Sequence, residues 1–207
     1  MDNRSQHWES IFRSKAIERT SWYRPHLDVS IELLQAAGLQ RESRVIDIGA
    51  GASTLMDDLL ALGLRNLLAV DVSAAALQIS QRRLGAQARV VQWIVGDVTT
   101  LELPASSIDL WHDRAALHFL RTQHELHAYV DLASRAVAAG GFAVVATFAP
   151  DGPAECSGLP VVRRDAESIA GLFSSAFRLV QGRRETHTTP GGVQQPFAYA
   201  LLQRTGR

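Results

Sequence analysis

Three aspartates and two closely spaced glycines are the residues of this chain whose types and spacing best suit ligand binding. Asp47, Gly49 and Gly51 lie in the stretch VIDIGAGAST, where an apolar run passes into a glycine turn and then into a helical pattern. Such a turn brings backbone N–H groups and the positive end of a helix against a ligand, and glycine is needed where a Cβ would block the approach. Asp71 and Asp97 end the next two apolar runs. Each acid alone is equally well explained as a helix cap or strand end, but three in register predict a site for an adenosine-containing ligand.

The surroundings of two of these acids narrow the choice of ligand. Asp47 lies in an otherwise apolar run, and a buried carboxylate is costly unless a cation or a hydrogen-bond donor meets it. Asp71 follows the turn by about 20 residues, the position from which a carboxylate accepts hydrogen bonds from ribose hydroxyls. The dinucleotide fingerprint G-x-G-x-x-G has a third glycine, whereas Ser53 and Thr54 follow Gly51 here. This difference counts against NAD, and a nicotinamide-dependent oxidoreductase is the most distant of the hypotheses.

A second group of polar residues follows the fourth apolar run, in the stretch WHDRAALHFL. In an open α/β sheet the ligand binds beyond the carboxyl ends of the strands, where the strand order reverses. We therefore predict that His112, Asp113 and Arg114 reach the ligand crevice, with His118 a few residues further on. These four are the candidate catalytic residues, which would move a proton or hold an anionic nucleophile. The alternatives are a local hydrogen-bonded pair for His112 with Asp113 and a structural ion pair for Arg114.

Short apolar runs that alternate with helical patterns must position these residues. Strands are predicted at 44–48, 66–70, 89–95, 108–111 and 141–148. The intervening helices are predicted at 30–37, 53–62, 74–84 and, after a capping box at Thr122, up to residue 138. Ser73 is predicted to cap the third of them. Because the strands are apolar almost throughout, helices should cover both faces of a parallel sheet.

The end of the chain breaks this alternation. After a helix at 165–174, two strand-like runs at 177–185 and 197–203 are joined by the turn-forming segment at 188–192. The prediction is an α/β, doubly wound, Rossmann-like fold whose mostly parallel seven-stranded sheet ends in an antiparallel C-terminal edge hairpin. The proline-rich segment 149–160 is predicted to be an irregular loop that serves as a substrate loop or lid.

Size and charge limit the number of domains and the class of partner. The 207 residues suit one domain, predicted at 1–207, in which residues 1–40 form a helical cap over the ligand site. Lysine plus arginine equals aspartate plus glutamate at 21 each, so no net charge favours nucleic acid or an anionic membrane. We find neither a signal-peptide pattern nor a membrane-spanning apolar stretch.

Cysteine and histidine usage argues against metal chemistry. Cys156 is the only cysteine, which excludes an internal disulfide and a multi-thiolate metal site and fits the cytoplasm as the compartment. We interpret this cysteine as a passive thiol. His118, His124 and His127 lack the helical pairing at i, i+4 that zinc sites use, so no metal is predicted.

The stretches VIDIGAGAS, LLAVDVS and VGDV resemble the cofactor-binding segments of the class I SAM-dependent methyltransferases. The resemblance implies S-adenosyl-L-methionine (SAM) as the cofactor. It implies that Asp47, Gly49 and Gly51 cradle the methionine part, that Asp71 binds the ribose, and that Asp97 with Val98 binds the adenine. It extends the set of cofactor-binding residues to Ser53, Val72 and Trp22.

The stretch DRAAL, followed by Tyr129, is similar to the thiopurine methyltransferase group, which implies a thiol or another soft nucleophile as acceptor. A thiol suits a site with a nearby cation, because its pKa of about 8.5 lets it ionise near neutral pH. The Pro-Pro-aromatic signature of many amino-group and DNA methyltransferases is absent after the fourth run. We therefore predict methyl transfer from SAM to a small-molecule acceptor, without nucleic acid or membrane as partner.

Two alternatives stay open. One is a protein lysine methyltransferase, because Trp22, Tyr23, Trp111 and Phe119 could form a narrow aromatic channel for an alkylamine. The other is a SAM-binding regulatory protein without turnover.

Overall fold

The computed structural model describes residues 3–206, so residues 1, 2 and 207 of the predicted domain lie outside the described part. Its strands are β1 (Arg44–Ile48), β2 (Asn66–Asp71), β3 (Val91–Val95), β4 (Ile108–Arg114), β5 (Val137–Phe148), β6 (Glu155–Cys156), β7 (Leu159–Pro160), β8 (Phe177–Thr188) and β9 (Gln194–Arg204). Seven of them form one sheet in the order β3-β2-β1-β4-β5-β9-β8. The first five are parallel, and β9 pairs antiparallel with both β5 and β8. The predicted doubly wound fold with a C-terminal antiparallel hairpin is confirmed.

The helices pack on both faces of this sheet. They are α1 (Asn3–Ser14), α2 (Asp28–Ala36), α3 (Leu55–Ala61), α4 (Ala74–Leu84), α5 (Gln123–Ala136) and α6 (Ala166–Phe173). Leu34 of α2 and Leu59 of α3 belong to one buried cluster, whereas Tyr129 of α5 and Phe173 of α6 belong to another. Within residues 3–206 no helix combines the length and the apolar character needed to cross a membrane.

Neighbouring residues of one strand point to these two clusters in turn. Val45 packs in the cluster with α2 and α3, and Ile46 packs in the cluster with α5 and α6. Adjacent side chains of a β-strand point to opposite faces of the sheet. Both faces are covered by helices, which explains why the central strands are apolar almost throughout.

Helix caps and most element boundaries agree with the sequence prediction. The Ser73 hydroxyl accepts a hydrogen bond from the Ala76 N–H, and Thr122 with Glu125 forms the predicted capping box. The segment 149–160 is not wholly irregular, because Glu155–Cys156 and Leu159–Pro160 pair as a short antiparallel hairpin. The fourth strand was predicted to end at Trp111 but continues to Arg114, a difference that decides which side chains reach the site.

Candidate functional site

A cavity lies over the carboxyl ends of β1, β2 and β4, where the strand order reverses. It encloses about 1130 Å³ of empty space, part of which is open solvent. Every residue predicted to bind the cofactor lines it: Trp22, Asp47, Gly49, Gly51, Ser53, Asp71, Val72, Asp97 and Val98. Of the four candidate catalytic residues, His112 and Arg114 line it, whereas Asp113 and His118 do not.

The glycine turn leaves room for a ligand because its two glycines have no side chains, and a side chain at either position would be too close to its neighbours. Gly49 has φ of 66°, and a Cβ added to it would lie 2.6 Å from the Cβ of Ala116. Gly51 has φ of 52°, and its Cβ would lie 3.2 Å from the ring of Phe12. Residues with a side chain rarely adopt such a positive φ. The turn is therefore a cradle that a Cβ would strain and partly fill.

Asp71 ends β2 beside this turn. Its carboxylate accepts hydrogen bonds from the N–H groups of Gly51, at 2.9 Å, and Ser73, at 2.8 Å. Burial raises the pKa of Asp71 to about 6, although these two backbone donors favour the ionised form. The acid is therefore fixed in orientation at the cavity wall and titrates not far below neutral pH.

Asp97 follows the end of β3 and faces helix α1. One carboxylate oxygen accepts hydrogen bonds from the N–H group of Thr99, at 2.8 Å, and from its hydroxyl, at 2.7 Å. The other oxygen lies 3.6 Å from a guanidinium nitrogen of Arg4, which also pairs with Glu125. Asp97 thus connects the rim of the cavity to the N-terminal helix.

Helix α1 lies across the cavity. The Glu9 carboxylate accepts hydrogen bonds from the Ser73 hydroxyl, at 2.7 Å, and from the Ala75 N–H, at 3.0 Å, and these donors lower the pKa of Glu9. Aromatic rings from α1 and from two other segments meet over the cavity, in edge or tilted contacts: Trp8, Phe12, Trp22 and Phe119. An apolar roof of this kind excludes water from the space beneath it.

Asp47 obtains its partner from the neighbouring strand. Asp47 of β1 lies opposite His112 of β4 in the sheet, and its Oδ1 lies 2.7 Å from the Nδ1 of His112. The other ring nitrogen, Nε2, lies 2.9 Å from the Oγ of Ser30 in α2. The hydrogen-bond donor that the sequence required for Asp47 is therefore His112.

Arg114 is held rigidly but is not fully hydrogen-bonded. Its Nε donates to the Tyr199 hydroxyl at 3.0 Å, its Nη1 to the Trp22 carbonyl at 3.4 Å, and its guanidinium lies 4.2 Å from the centroid of the Phe197 ring. The Nη2 group is buried and has no hydrogen-bond partner among residues 3–206. Within the same residues no carboxylate lies within ion-pairing distance of Arg114, so the structural ion pair considered for it is not formed.

Asp113 does not reach the cavity, contrary to the prediction. Its carboxylate is fully buried and accepts hydrogen bonds from the N–H groups of Ala116 and Leu117 and from the Tyr129 hydroxyl, at 2.7 to 3.3 Å. Burial raises its pKa to about 6. The reason is the alternation along β4, which turns Asp113 to the α5 face while His112 and Arg114 face the cavity. Asp113 holds the turn after β4.

This placement gives a prediction about folding. Asp113→Asn should lower the free energy of unfolding by about 1–3 kcal/mol, because an amide nitrogen cannot accept the hydrogen bonds that the buried oxygen accepts. Its affinity for S-adenosylhomocysteine (SAH) should stay close to the wild-type value. Urea denaturation and calorimetry at pH 7.5 measure the two, with the exposed Asp131→Asn as control. Weaker SAH binding with unchanged stability would instead place Asp113 in the site.

His118 is also displaced from the predicted role. Its ring is buried, contacts Phe119 and Phe148 at centroid distances of 4.3 and 5.0 Å, and has no hydrogen-bond partner for either nitrogen among residues 3–206. Burial, with the positive charges of Arg114 and Arg164, lowers its pKa to about 3. The ring therefore packs as part of the core, and the structure does not bring it to the cavity lining as predicted.

The sequence analysis missed several contributors. Ser30, Arg4 and Glu9 lie on helices, and no local sequence pattern distinguishes them from ordinary helix-surface residues. Their partners depend on which strand or loop each helix packs against. Tyr199 and Glu185 lie behind Arg114, where the Tyr199 hydroxyl donates to Glu185 at 2.6 Å. Among residues 3–206 no group of three His, Cys, Asp or Glu side chains is arranged to hold a metal ion.

Comparisons with known proteins show which family and which fold this chain is similar to. Residues 45–141 match the family model for a methyltransferase domain. This matched range includes the glycine turn and all three acids. The fold is similar to that of the N-methyltransferase NodS from Bradyrhizobium japonicum WM9, solved with SAH, with a TM-score of 0.75 at 17% identity, covering 99% of this chain and 100% of that one. Residues 45–141 therefore match a methyltransferase domain, and the fold is shared with methyltransferases solved with SAH.

Two further similarities are to a solved structure and to a curated protein. The structure reported for the conversion of a disulfide bond into a thioacetal group during echinomycin biosynthesis has a TM-score of 0.76 at 18% identity, covering 97% of this chain and 93% of that one. The eEF1A lysine and N-terminal methyltransferase of Mus musculus is 24% identical over 121 residues, which is 58% of this chain. The matched part spans only 17% of that relative's length.

Proposed function

We propose that this protein is a SAM-dependent methyltransferase, with S-adenosyl-L-methionine as its cofactor, and that it acts on a small-molecule thiol or another soft nucleophile. The observation that carries the proposal is the unpartnered Nη2 group of Arg114, a buried cationic donor at the wall of a largely apolar cavity. A guanidinium in such a place favours an anionic ligand, because charged groups attract each other more strongly where water is excluded. A thiolate is the anionic nucleophile that forms most easily near neutral pH.

The residues that line one half of the cavity have types that suit the parts of SAM. Asp47 with Gly49 and Gly51 would hold the methionine part, Asp71 the ribose, and Asp97 with Val98 the adenine, while Ser53, Val72 and Trp22 complete the walls. The sulfonium of SAM supplies a methyl group that an aligned nucleophile can accept directly. Residues 1–40 would contribute the cap, of which α1 provides Arg4, Trp8 and Phe12.

The acceptor half would work by positioning and charge. Arg114 is fixed by Tyr199, Trp22 and Phe197, so its free N–H can hold a sulfur anion without first having to be ordered. Burial raises the pKa of Tyr199 to about 12, so its hydroxyl stays neutral beside the guanidinium. The acceptor would lose its proton to water before it enters the cavity.

The lone cysteine supports a passive role. Cys156 lines the cavity, but burial raises its pKa to about 11, so it remains a neutral thiol near pH 7. Methyl transfer from SAM needs no nucleophile from the protein. Cys156 then contributes soft, apolar surface against which a sulfur-containing acceptor can pack.

Sulfur chemistry has independent support. The similarity to the structure from the echinomycin work, and the DRAAL stretch that is similar to the thiopurine methyltransferase group, both favour a soft acceptor. In the structure this stretch forms the turn that Asp113 and Tyr129 hold beside the cavity, with Arg114 in the lining.

Lysine methylation is the second candidate, motivated by the 24% identity to the eEF1A methyltransferase. Trp22, Tyr23 and Phe119 line the cavity as the aromatic channel requires, but Trp111 packs on the opposite face, where it donates to the Tyr129 hydroxyl. A lysine ammonium that enters the cavity would also meet Arg114, an unpaired like charge. The charge of Arg114 therefore favours a small anionic acceptor over a lysine ammonium.

The test uses matched pairs of acceptors with methyl-labelled SAM. Aliphatic and aromatic thiols are offered beside the corresponding amines, and a heat-treated lysate is offered separately as a source of protein lysines. Label should enter the thiols in preference to the amines. Label confined to protein would favour lysine methylation, and SAM binding without any turnover across the panel would favour the regulatory role.

The titration of Asp71 gives a prediction for cofactor affinity. Ribose hydroxyls donate to the ionised carboxylate, and the pKa of Asp71 is about 6, so protonation removes the acceptor as pH falls. SAH affinity should be constant from pH 7 to 8 and fall by about tenfold per pH unit well below the pKa. Asp71→Asn should bind weakly with no such pH dependence. Calorimetric titrations from pH 5 to 8 measure this, and a flat wild-type profile would contradict it.

A further inference from the structure

We propose that Ser30 and His112 are positioning residues that orient the Asp47 carboxylate toward the amino group of the cofactor's methionine part. The inference rests on the proposed placement of that methionine part beside Asp47. It replaces the role in proton transfer that the sequence suggested for His112.

The three residues come from three different elements and form a continuous chain of hydrogen bonds. Asp47 in β1 and His112 in β4 are joined at 2.7 Å, and His112 and Ser30 in α2 at 2.9 Å. Their exposed fractions are 2%, 1% and 0%. Hydrogen bonds of this length between buried groups fix side-chain orientation, because breaking one would leave a polar group without a partner.

The chemistry of the groups assigns the hydrogen atoms. An ionised carboxylate only accepts, so the Nδ1 of His112 carries the hydrogen that it donates to Asp47. In the neutral imidazole Nε2 accepts, and the Ser30 hydroxyl is then its donor. Ser30 thereby selects both the tautomer and the ring orientation of His112, although Ser30 is not part of the cavity lining.

This arrangement leaves Asp47 suited to a cation. The Nδ1 group of His112 satisfies only one of the two carboxylate oxygens of Asp47. Because Oδ1 is held by His112, Oδ2 is the oxygen left for a ligand in the cavity that Asp47 lines. The methionine amino group is an ammonium at neutral pH and supplies both the charge and the hydrogen-bond donors that a buried carboxylate needs.

His112 and Ser30 are also too enclosed to act on the acceptor. His112 is 1% exposed, and both of its ring nitrogens are already hydrogen-bonded. Accepting a proton from a substrate would require one of these buried bonds to break. Arg114, two residues further along the same strand, also lines the cavity and, unlike His112, keeps a polar group without a hydrogen-bond partner among residues 3–206.

The test compares two ligands that differ in the methionine part. SAH carries the amino acid portion, and 5′-methylthioadenosine lacks it but keeps the adenine and ribose. Both are titrated calorimetrically into the wild type and into Asp47→Asn, His112→Gln and Ser30→Ala. Ser43→Ala, at another buried serine outside the cavity lining, is the matched control.

We expect SAH affinity to fall about tenfold to hundredfold in Asp47→Asn, because this variant removes the charged partner of the ligand's amino group. In His112→Gln it should fall about tenfold, because the group that orients Asp47 is lost. Ser30→Ala should weaken SAH by about threefold to tenfold. In all three variants the affinity for 5′-methylthioadenosine should remain within about twofold of the wild type, as should both ligands in Ser43→Ala.

Each other result overturns a defined part of the account. Unchanged SAH affinity in His112→Gln and Ser30→Ala, with a loss in Asp47→Asn, would overturn the positioning role and leave the cofactor placement standing. Equal loss of both ligands in His112→Gln would show a merely structural role. If Ser30→Ala and His112→Gln fold poorly, circular dichroism shows it, and His112→Asn is measured instead. Its amide can still donate to Asp47 from the Nδ1 position, so it should lose less SAH affinity than Asp47→Asn and should bind 5′-methylthioadenosine like the wild type, and a loss of both ligands would overturn the positioning role. No SAH binding by the wild type would instead refute the proposed function.

Discussion

Gly51→Val should weaken SAH binding by about tenfold to hundredfold, the equivalent of an overpacked contact of about 1–3 kcal/mol. The added Cβ alone would lie 3.2 Å from the Phe12 ring and 3.6 Å from an Asp71 carboxylate oxygen, and the valine methyl groups extend further. The Gly51 N–H also holds Asp71, so a shift of the turn would disturb the proposed ribose contact. Calorimetric titration with SAH measures the change.

The matched control separates steric blocking from backbone strain. Gly85 has φ of 56°, close to the 52° of Gly51, but a Cβ added to Gly85 meets nothing within 4 Å. Gly85→Val therefore also places a β-branched residue at a positive φ, but without filling the cavity. It should lose stability but keep SAH affinity. If both variants bind SAH like the wild type, the ligand does not sit against the glycine turn.

Arg114→Met should lower kcat/KM for the best thiol acceptor by about 100-fold to 1000-fold, the usual effect of removing one fixed donor that stabilises an anionic group. Methionine keeps an apolar contact with Phe197 but removes the charge and the unpartnered N–H. SAH affinity should change little, because Arg114 is placed in the acceptor half. Initial rates and SAH calorimetry measure the two effects separately.

Two further variants sharpen this test. Arg114→Lys keeps the charge but not the rigid guanidinium fork, so it should recover only part of the activity. Arg184→Met removes an exposed arginine that pairs with Asp151, and its activity should equal that of the wild type. Full activity in Arg114→Met would rule out the thiolate-holding role, and equal activity toward thiols and amines in the wild type would remove the reason for it.

The sequence was sufficient for the strand and helix order because the apolar runs and caps are local signals. Ser73 and Thr122 cap the helices as their types predict, and β1 ends in the glycine turn as its sequence indicates. The acids predicted to bind the cofactor were placed at the cavity for the same reason, since each lies within a strand, ends one or follows its end. The position of a strand end along the chain already places its side chain at the crevice.

The acceptor half was harder to predict because it depends on one strand boundary. With β4 ending at Trp111, the residues from His112 to Arg114 would all have belonged to a loop at the crevice. The strand runs to Arg114, and its alternation sends Asp113 to the opposite face. Apolar pattern could not reveal this, because His112, Asp113 and Arg114 are polar residues whose hydrogen bonds are made to distant elements.

Hydrogen-bond partners that are far apart in the sequence could not be predicted from it either. Ser30 meets His112 across 82 positions of sequence, and Glu9 meets Ser73 across 64. A serine or glutamate on a helix surface is ordinary in itself, and only the packing of the helix against the sheet gives it a role. The cap was predicted at residues 1–40, but its polar attachments could be identified only from the structure.

A crystal structure of the complex with SAH tests the central claim most directly. The account predicts the ribose hydroxyls at Asp71, the amino group at Asp47, the adenine beside Asp97 and Val98, and the sulfur facing the free N–H side of Arg114. SAH bound elsewhere on the sheet, or its sulfur turned away from Arg114, would contradict the account.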